Sequence, residues 1–135
     1  MDEKDNVTIM GDFNGRVGTR KPTWERYMGP HSDRETDQNS NGEMLLQLCA
    51  EHDLVISNTF FQHRRSQVKT WYKWNDLKTA SQIDFILAKR SKLRNIRDSR
   101  VIPNYIIDTD HRPVIMTIDT PNRKKGQKPG KDEKS

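Results

Sequence analysis

Short apolar runs bounded by polar residues constrain the fold of this 135-residue chain more than any other feature. Such runs lie at residues 7–10, 83–88 and Val114–Ile118. Apolar and β-branched segments of this length are typical of strands. Residues 83–88 are almost continuously apolar, which predicts a strand buried on both faces. The pattern therefore predicts a β-sheet with polar side chains at the ends of its strands.

The segment between the first two of these runs contains apolar residues at helical spacing. Leu45, Leu48, Cys49 and His52 are three or four residues apart, which predicts a helix over residues 42–52. Further short strands are predicted at residues 54–57, 69–73 and 97–103. We therefore predict an α/β fold in which one mixed sheet carries a flanking helix.

The composition limits how complete this fold is. Hydrophobic residues make up 31% of the chain and charged residues 32%, which is lean for a compact domain. The chain length allows one domain. We expect either a thin core or a core completed by polypeptide that is absent from this sequence.

The charge is concentrated near the C-terminus. The net charge is +5, and residues 121–135 hold six Lys/Arg and two Asp/Glu, a net of +4. The sequence thus predicts a domain over residues 1–119 and a basic disordered tail over residues 120–135. Two further basic segments, residues 63–65 and 89–100, either contact phosphates or form a solvated face.

Cys49 is the only cysteine, which is typical of a reducing compartment. The sequence shows no apolar stretch near the ~20 residues of a membrane span. We expect a nuclear or cytoplasmic protein without membrane association.

Two polar residues follow the first predicted strand. Asp12 and Asn14 are two residues apart, so both side chains can point to the same opening at a strand end. Hydrolysis of a phosphodiester needs a group that deprotonates or orients water and donors that neutralise charge on phosphate. Asp12 suits the first role and the Asn14 amide suits the second. A plain turn is the alternative interpretation.

Two more strands carry ionisable residues at their starts. Asp110 and His111 precede Val114–Ile118, and Asp84 opens the apolar run at residues 83–88. Asp110 is a candidate ligand of Mg²⁺, His111 a candidate donor to phosphate, and Asp84 a candidate partner of the imidazole. Each residue alone also fits a surface loop or a backbone cap.

Taken together, the motifs resemble a known family. They are Gly11-Asp12-Phe13-Asn14, Gly42 with its helix, residues 54–59, Thr70-Trp71, residues 82–87 and Asp110-His111. In this order they resemble the C-terminal half of the endonuclease/exonuclease/phosphatase superfamily. The resemblance is closest to the apurinic-like endonucleases of non-LTR retrotransposons and to the craniofacial development protein 2 group.

This resemblance implies a fold, an activity and a set of site residues. The implied fold is half of a four-layer αββα sandwich, and the implied activity is Mg²⁺-dependent (or Mn²⁺-dependent) cleavage of DNA. The implied catalytic residues are Asp12, Asn14, Asp84 and His111. Asp110 is implied as a metal ligand, and Trp71 and Asn39 as substrate-binding residues, although Trp71 also suits the core.

The chain also departs from the family. Thr109 replaces the serine that usually precedes the Asp-His pair, and the N-terminal half, with its metal-binding glutamate, cannot be placed. We therefore expect impaired activity, and a missing half or another chain that covers an exposed sheet face. A non-catalytic remnant or binding protein, and a phosphatase of the same superfamily, remain alternatives.

Overall fold

The computed structural model describes residues 8–102 and 110–119, and it is a mixed α/β structure, as predicted. The helix and strands of these ranges are β1 (Thr8–Asp12), α1 (Ser40–His52), β2 (Leu54–Ile56), β3 (Trp71–Lys73), β4 (Asp76–Ser81), β5 (Asp84–Lys89), β6 (Ile96–Val101) and β7 (Val114–Ile118). Short 3-10 turns connect several of them. Thr109 and the predicted tail over residues 120–135 lie outside the described residues.

The predicted helix is confirmed, and it begins two residues earlier than its apolar spacing indicated. Asn39 is the N-cap, and its side-chain oxygen accepts a hydrogen bond of 2.8 Å from the Gly42 N–H. This bond satisfies one of the N–H groups that the first helical turn leaves without a partner. The helix ends at His52, and Asp53 is its C-cap. Asp53 adopts a left-handed conformation with φ of 56° and donates its N–H to the Cys49 carbonyl.

The prediction of one mixed sheet is wrong for the described residues, whose strands form three small antiparallel sheets. The largest has the order β1-β5-β2, while β3 pairs with β4 and β6 pairs with β7. The chain changes sheets at Gln82 and Ile83, between β4 and β5. Their N–H groups bond to the side chains of Asp33 and Thr70, so this bend interrupts the strand ladder.

The core lies between α1 and one face of the three-stranded sheet. Successive residues of a strand point to opposite faces. Phe85 and Leu87 of β5 therefore share the face that packs against the helix, and Ile86 and Ala88 occupy the other, also buried, face. β7 and the turn Ser57–Thr59 pack against β5 as well. Burial of β5 on both faces confirms the prediction made from its continuous apolar sequence. The buried members of the core cluster are Val17, Met28, Leu45, Leu46, Cys49, Leu54, Ile56, Phe85 and Leu87.

Strand β1 stands out because all five of its residues are exposed. It is the edge strand of its sheet, and its Met10 side chain is 68% exposed. An exposed apolar edge strand offers unpaired backbone groups to another polypeptide. Among the residues that the structure describes, no helix has the length and apolar character of a membrane span.

Candidate active site

The strand register brings two of the predicted carboxylates together. Asp12 is the last residue of β1 and Asp84 is the first residue of β5, and the antiparallel register makes them direct partners. Directly opposed residues in such a pair project from the same face of the sheet. Two aspartates that are 72 positions apart in the sequence therefore meet at one end of the three-stranded sheet.

His111 joins these carboxylates from a third segment. Its Nδ1 lies 2.8 Å from Asp84 Oδ2, and its Nε2 lies 3.6 Å from Asp12 Oδ2. The ring is partly buried, with 34% of the side chain exposed. The predicted meeting of Asp12, Asp84 and His111 is thus observed. The two carboxylates lie near different nitrogens of one imidazole.

This arrangement favours the charged imidazole. Burial of the ring lowers the pKa of His111, but the hydrogen bond that the ring donates to Asp84 and the negative charges of Asp84, Asp12 and Asp110 outweigh this effect. The net effect raises the pKa of His111 above its ordinary value of 6.5. When the ring is protonated, both nitrogens donate hydrogen bonds. In its protonated form the ring places a positive charge beside Asp12.

Asp110 lies on the Nε2 side of the ring. Its Oδ1 is 3.9 Å from His111 Nε2, and its Oδ2 accepts a hydrogen bond of 2.9 Å from the Trp71 indole N–H. The indole therefore fixes the orientation of the carboxylate. Trp71 is half-buried, and its role as a substrate-binding residue stays a prediction beside this contact.

Asn14 follows Asp12 in a tight turn. It adopts a left-handed backbone conformation with φ of 50°, and its N–H donates to Asp12 Oδ1 at 2.9 Å. Asparagine tolerates this conformation better than most residues. The turn leaves Asn14 exposed near the Asp12 carboxylate, and its contact with phosphate stays a prediction.

Asn39 also makes a contact with Arg16 that the sequence did not reveal. Besides capping α1, its Oδ1 accepts a hydrogen bond of 2.9 Å from the Arg16 N–H. One amide oxygen thus ties the helix start to the segment that follows β1. Its predicted role in substrate binding stays a prediction.

The cluster contains groups of the kind that can bind metal ions. One ligand atom from each of Asp12, Asp84 and His111 lies within 4.8 Å of the others. Mg²⁺ is usually held by one or two carboxylates together with water and substrate phosphate. Asp12 Oδ2 and Asp110 Oδ1 both lie near His111 Nε2, so they supply carboxylate oxygens on the same side of the ring.

Several residues of the two basic segments form ion pairs with nearby carboxylates. In residues 89–100, Lys89 is buried and three arginines form ion pairs. In residues 63–65, the ends of the segment are paired as well. The pairs are Arg90 with Asp53, Arg97 with Asp119, Arg100 with Asp98, His63 with Asp98, and Arg65 with Glu35. These pairs weaken the interpretation of either segment as a free phosphate-binding surface.

Sequence reasoning missed the residues that support the site from behind. Thr70 is completely buried and bonds to backbone groups on both sides of the carboxylate–imidazole pair. The buried ion pair of Lys69 and Asp33 holds the adjoining bend. The only sequence signal was Thr70 itself, which precedes Trp71 in one of the recognised motifs.

The fold and site together define a mixed α/β domain with a carboxylate–histidine cluster at a sheet end. No protein-family model matches the chain. Over 112 residues, or 82% of this chain, it is 29% identical to Craniofacial development protein 2 of Bos taurus. The match covers 18% of that protein, so the chain spans about a fifth of its length. The chain is therefore similar to this protein, as its motifs predicted.

Removing the Asp84 carboxylate tests the electrostatics of the cluster. We expect Asp84→Asn to lower the pKa of His111, because the substitution removes the hydrogen bond and charge that favour the protonated ring. A raised folded pKa stabilises the fold fully below the unfolded pKa, and this contribution disappears as pH rises through the folded pKa. The stability lost in Asp84→Asn should therefore shrink as the pH rises above the folded pKa of the natural His111.

NMR titration of the imidazole gives the measurement. Asp98→Asn is the matched control, because Asp98 Oδ1 lies 2.6 Å from Nε2 of a different histidine, His63. His111 should keep its pKa in this control. An unchanged or raised pKa of His111 in Asp84→Asn would contradict the assigned hydrogen bond.

Proposed function

We propose that this chain carries the catalytic residues of a Mg²⁺-dependent endonuclease that hydrolyses phosphodiester bonds of DNA. The observation that carries the proposal is the contact of His111 with both Asp84 and Asp12 at one sheet end. A carboxylate beside a charged imidazole combines a proton acceptor with a stabiliser of phosphate charge. The sequence resemblance to the endonuclease/exonuclease/phosphatase superfamily supplies the substrate class.

The proposed reaction assigns a role to each side chain of the cluster. Asp12 orients the attacking water and accepts its proton as the new P–O bond forms. His111 and the amide of Asn14 stabilise the added negative charge on the phosphate. The bond from phosphorus to the 3′ oxygen breaks, and the leaving oxygen takes a proton from a solvent water to become a 3′-hydroxyl, while the phosphate stays on the 5′ side. Asp84 holds the ring of His111 in place.

The metal has a defined place in this proposal. Asp110 would hold Mg²⁺, and Asp12 would offer a second carboxylate oxygen nearby, since both carboxylates lie near His111 Nε2. When bound, the ion supplies positive charge that neutralises the phosphate and favours departure of the leaving oxygen. The Trp71 indole keeps Asp110 turned toward this position.

The proposal extends to the architecture and partners of the domain. We propose that β1 and its sheet belong to one side of a two-sheet sandwich that a second polypeptide segment completes. The exposure of all of β1, including the apolar side chains of Ile9 and Met10, supports this arrangement. DNA would then approach the sheet end that carries Asp12 and His111.

Nicking of supercoiled plasmid tests the function. With Mg²⁺ present, the chain should convert supercoiled circles to nicked circles, and a chelator should stop the reaction. DNA polymerase should extend the nicks, because the proposed chemistry leaves a 3′-hydroxyl. Absence of nicking, or nicking that persists unchanged in chelator, would reject the proposal. Faster release of phosphate from a soluble inositol phosphate than cleavage of an abasic duplex would assign a phosphatase instead.

A further inference from the structure

Thr70 contacts the backbone beside both members of the carboxylate–imidazole pair. Its side chain is completely buried, and its Oγ1 accepts hydrogen bonds from the N–H groups of Ile83 at 2.9 Å and Asp84 at 3.1 Å. Its carbonyl oxygen accepts the Arg112 N–H at 2.7 Å. One residue is thus bonded to Asp84 itself and to the residue that follows His111.

The bend before β5 explains why a hydroxyl is needed here. Ile83 lies between two strands of different sheets, where no neighbouring strand accepts its N–H. A buried N–H without a hydrogen-bond partner destabilises the fold. The Thr70 hydroxyl accepts this N–H together with that of Asp84. It thereby fixes the position of the Asp84 backbone, from which the carboxylate extends.

The backbone around His111 pairs with the backbone that directly follows Thr70. Trp71 forms an isolated antiparallel bridge with His111, and the Tyr72 N–H donates to the Asp110 carbonyl at 2.9 Å. With the bond from Arg112 to Thr70, the backbone is held on both sides of His111. The backbone segments that carry the imidazole and the Asp84 carboxylate are therefore both hydrogen-bonded to Thr70.

We propose that Thr70 is a positioning residue that keeps Asp84 Oδ2 within hydrogen-bond distance of His111 Nδ1. It touches neither proposed substrate nor metal, and it acts through Asp84 and His111. Its effect on turnover depends on the proposed nuclease function, whereas its effect on the imidazole does not. Small displacements of positioned groups cost large factors in rate, so the loss of alignment should be measurable in both properties.

Thr70 is itself held in place by buried polar contacts. Its N–H donates to the Ser81 carbonyl at 2.9 Å, and the neighbouring Lys69 ammonium donates to the Ala80 carbonyl at 3.3 Å. Asp33 accepts from Lys69 at 2.6 Å and from the Gln82 N–H at 3.2 Å. These bonds also hold the bend at Gln82 and Ile83 in place.

The test compares two substitutions of the same residue in the full chain. Thr70→Val keeps the side-chain shape and removes the acceptor, so it should lower the pKa of His111, as Asp84→Asn does but less far. It should also slow DNA nicking about tenfold or more. Thr70→Ser keeps the hydroxyl and should restore both properties. NMR titration, with the His111 signal assigned from its loss in His111→Gln, supplies the pKa.

Thr59→Val is the matched control. Thr59 is also completely buried, and its hydroxyl donates to the Ile56 carbonyl at 2.7 Å and accepts the Gly29 N–H at 2.8 Å. Its loss should lower the melting temperature to a similar extent and leave the pKa of His111 unchanged. An equal fall of that pKa in both valine variants would overturn the positioning role, as would no fall in Thr70→Val.

Two further results separate this proposal from the proposed function. If the natural chain does not nick DNA while Thr70→Val still lowers the pKa of His111, the nuclease proposal fails and the positioning role stands. If Thr70→Val does not fold, Thr70→Cys replaces it, because a thiol is a much weaker acceptor than a hydroxyl. If the pKa of His111 in Thr70→Cys equals that in the natural chain, the positioning role is overturned.

Discussion

Replacing Asp12 with asparagine is expected to slow Mg²⁺-dependent nicking of plasmid DNA by a factor of about 10² to 10⁴. The substitution keeps the size of the side chain and an oxygen that can accept the Asn14 N–H, which now bonds to Asp12 Oδ1. It removes the group that accepts the proton of the attacking water. It also removes the negative charge 3.6 Å from His111 Nε2.

The measurement is the initial rate of conversion from supercoiled to nicked plasmid, for proteins purified in parallel. Asp76→Asn is the matched control, because Asp76 is an aspartate at the start of β4 whose carboxylate accepts from Thr79 and the Lys78 N–H. The control should nick at the natural rate. Equal rates for Asp12→Asn and the natural chain would show that the activity comes from a contaminating nuclease.

The sequence predicted the meeting of Asp12, Asp84 and His111 because local sequence patterns indicate where strands begin and end. Asp12 and Asp84 lie at the ends of apolar runs, and β1 and β5 share a sheet that aligns these ends. His111 precedes β7, which belongs to another sheet, so its approach to the two carboxylates depends on how the sheets pack. The helix was predictable for a similar reason, since Leu45 and Cys49 follow a helical spacing. Its true start was set by the capping contact of Asn39, which depends on a single side chain.

The division into three sheets was not predictable from local patterns. Strand β4 has the sequence Asp-Leu-Lys-Thr-Ala-Ser, in which neither alternation nor an apolar run marks a strand. It forms because it pairs with β3, across a register shift between Tyr72 and Lys73. The bend that follows β4 depends on acceptors from Asp33 and Thr70, which lie far away in sequence. Such tertiary contacts override strand propensity.

Two of the predicted site residues illustrate the same limit. Trp71 was predicted from its motif as a substrate-binding residue, but its bond to Asp110 requires the meeting of two distant segments. Asn39 was predicted from a loose match, and its contacts with Arg16 and Gly42 serve the helix start. Motif matches indicate which residues matter, while the partner of each side chain is defined only by the fold.

Lys69→Met is expected to lower the free energy of unfolding by about 3–5 kcal/mol, because it removes one partner of a buried ion pair. The side chains of Lys69 and Asp33 are only 2% and 4% exposed, and their charged atoms lie 2.6 Å apart. Methionine fills similar space without a charge. The Asp33 carboxylate would keep its backbone donors and lose the neighbouring cation, so its desolvation would no longer be offset.

Urea denaturation of the natural chain and its variants measures the loss. Arg97→Met is the control, because the ion pair of Arg97 with Asp119 is mostly exposed, at 67% and 51% of the side chains. Exposed pairs contribute about 0–1 kcal/mol, so this control should change the midpoint little. A loss in Lys69→Met as small as that of the control would contradict the inferred role of the buried pair.

The double variant Lys69→Met/Asp33→Asn separates the effect of an unpaired buried charge from the effect of losing hydrogen bonds. Asparagine keeps one oxygen that can accept the Gln82 N–H, which now bonds to Asp33 Oδ2. Because the uncompensated buried charge is absent, the double variant should be more stable than Lys69→Met alone. If it is less stable, the hydrogen bonds of Asp33 outweigh the charge of the pair in holding the bend before Asp84.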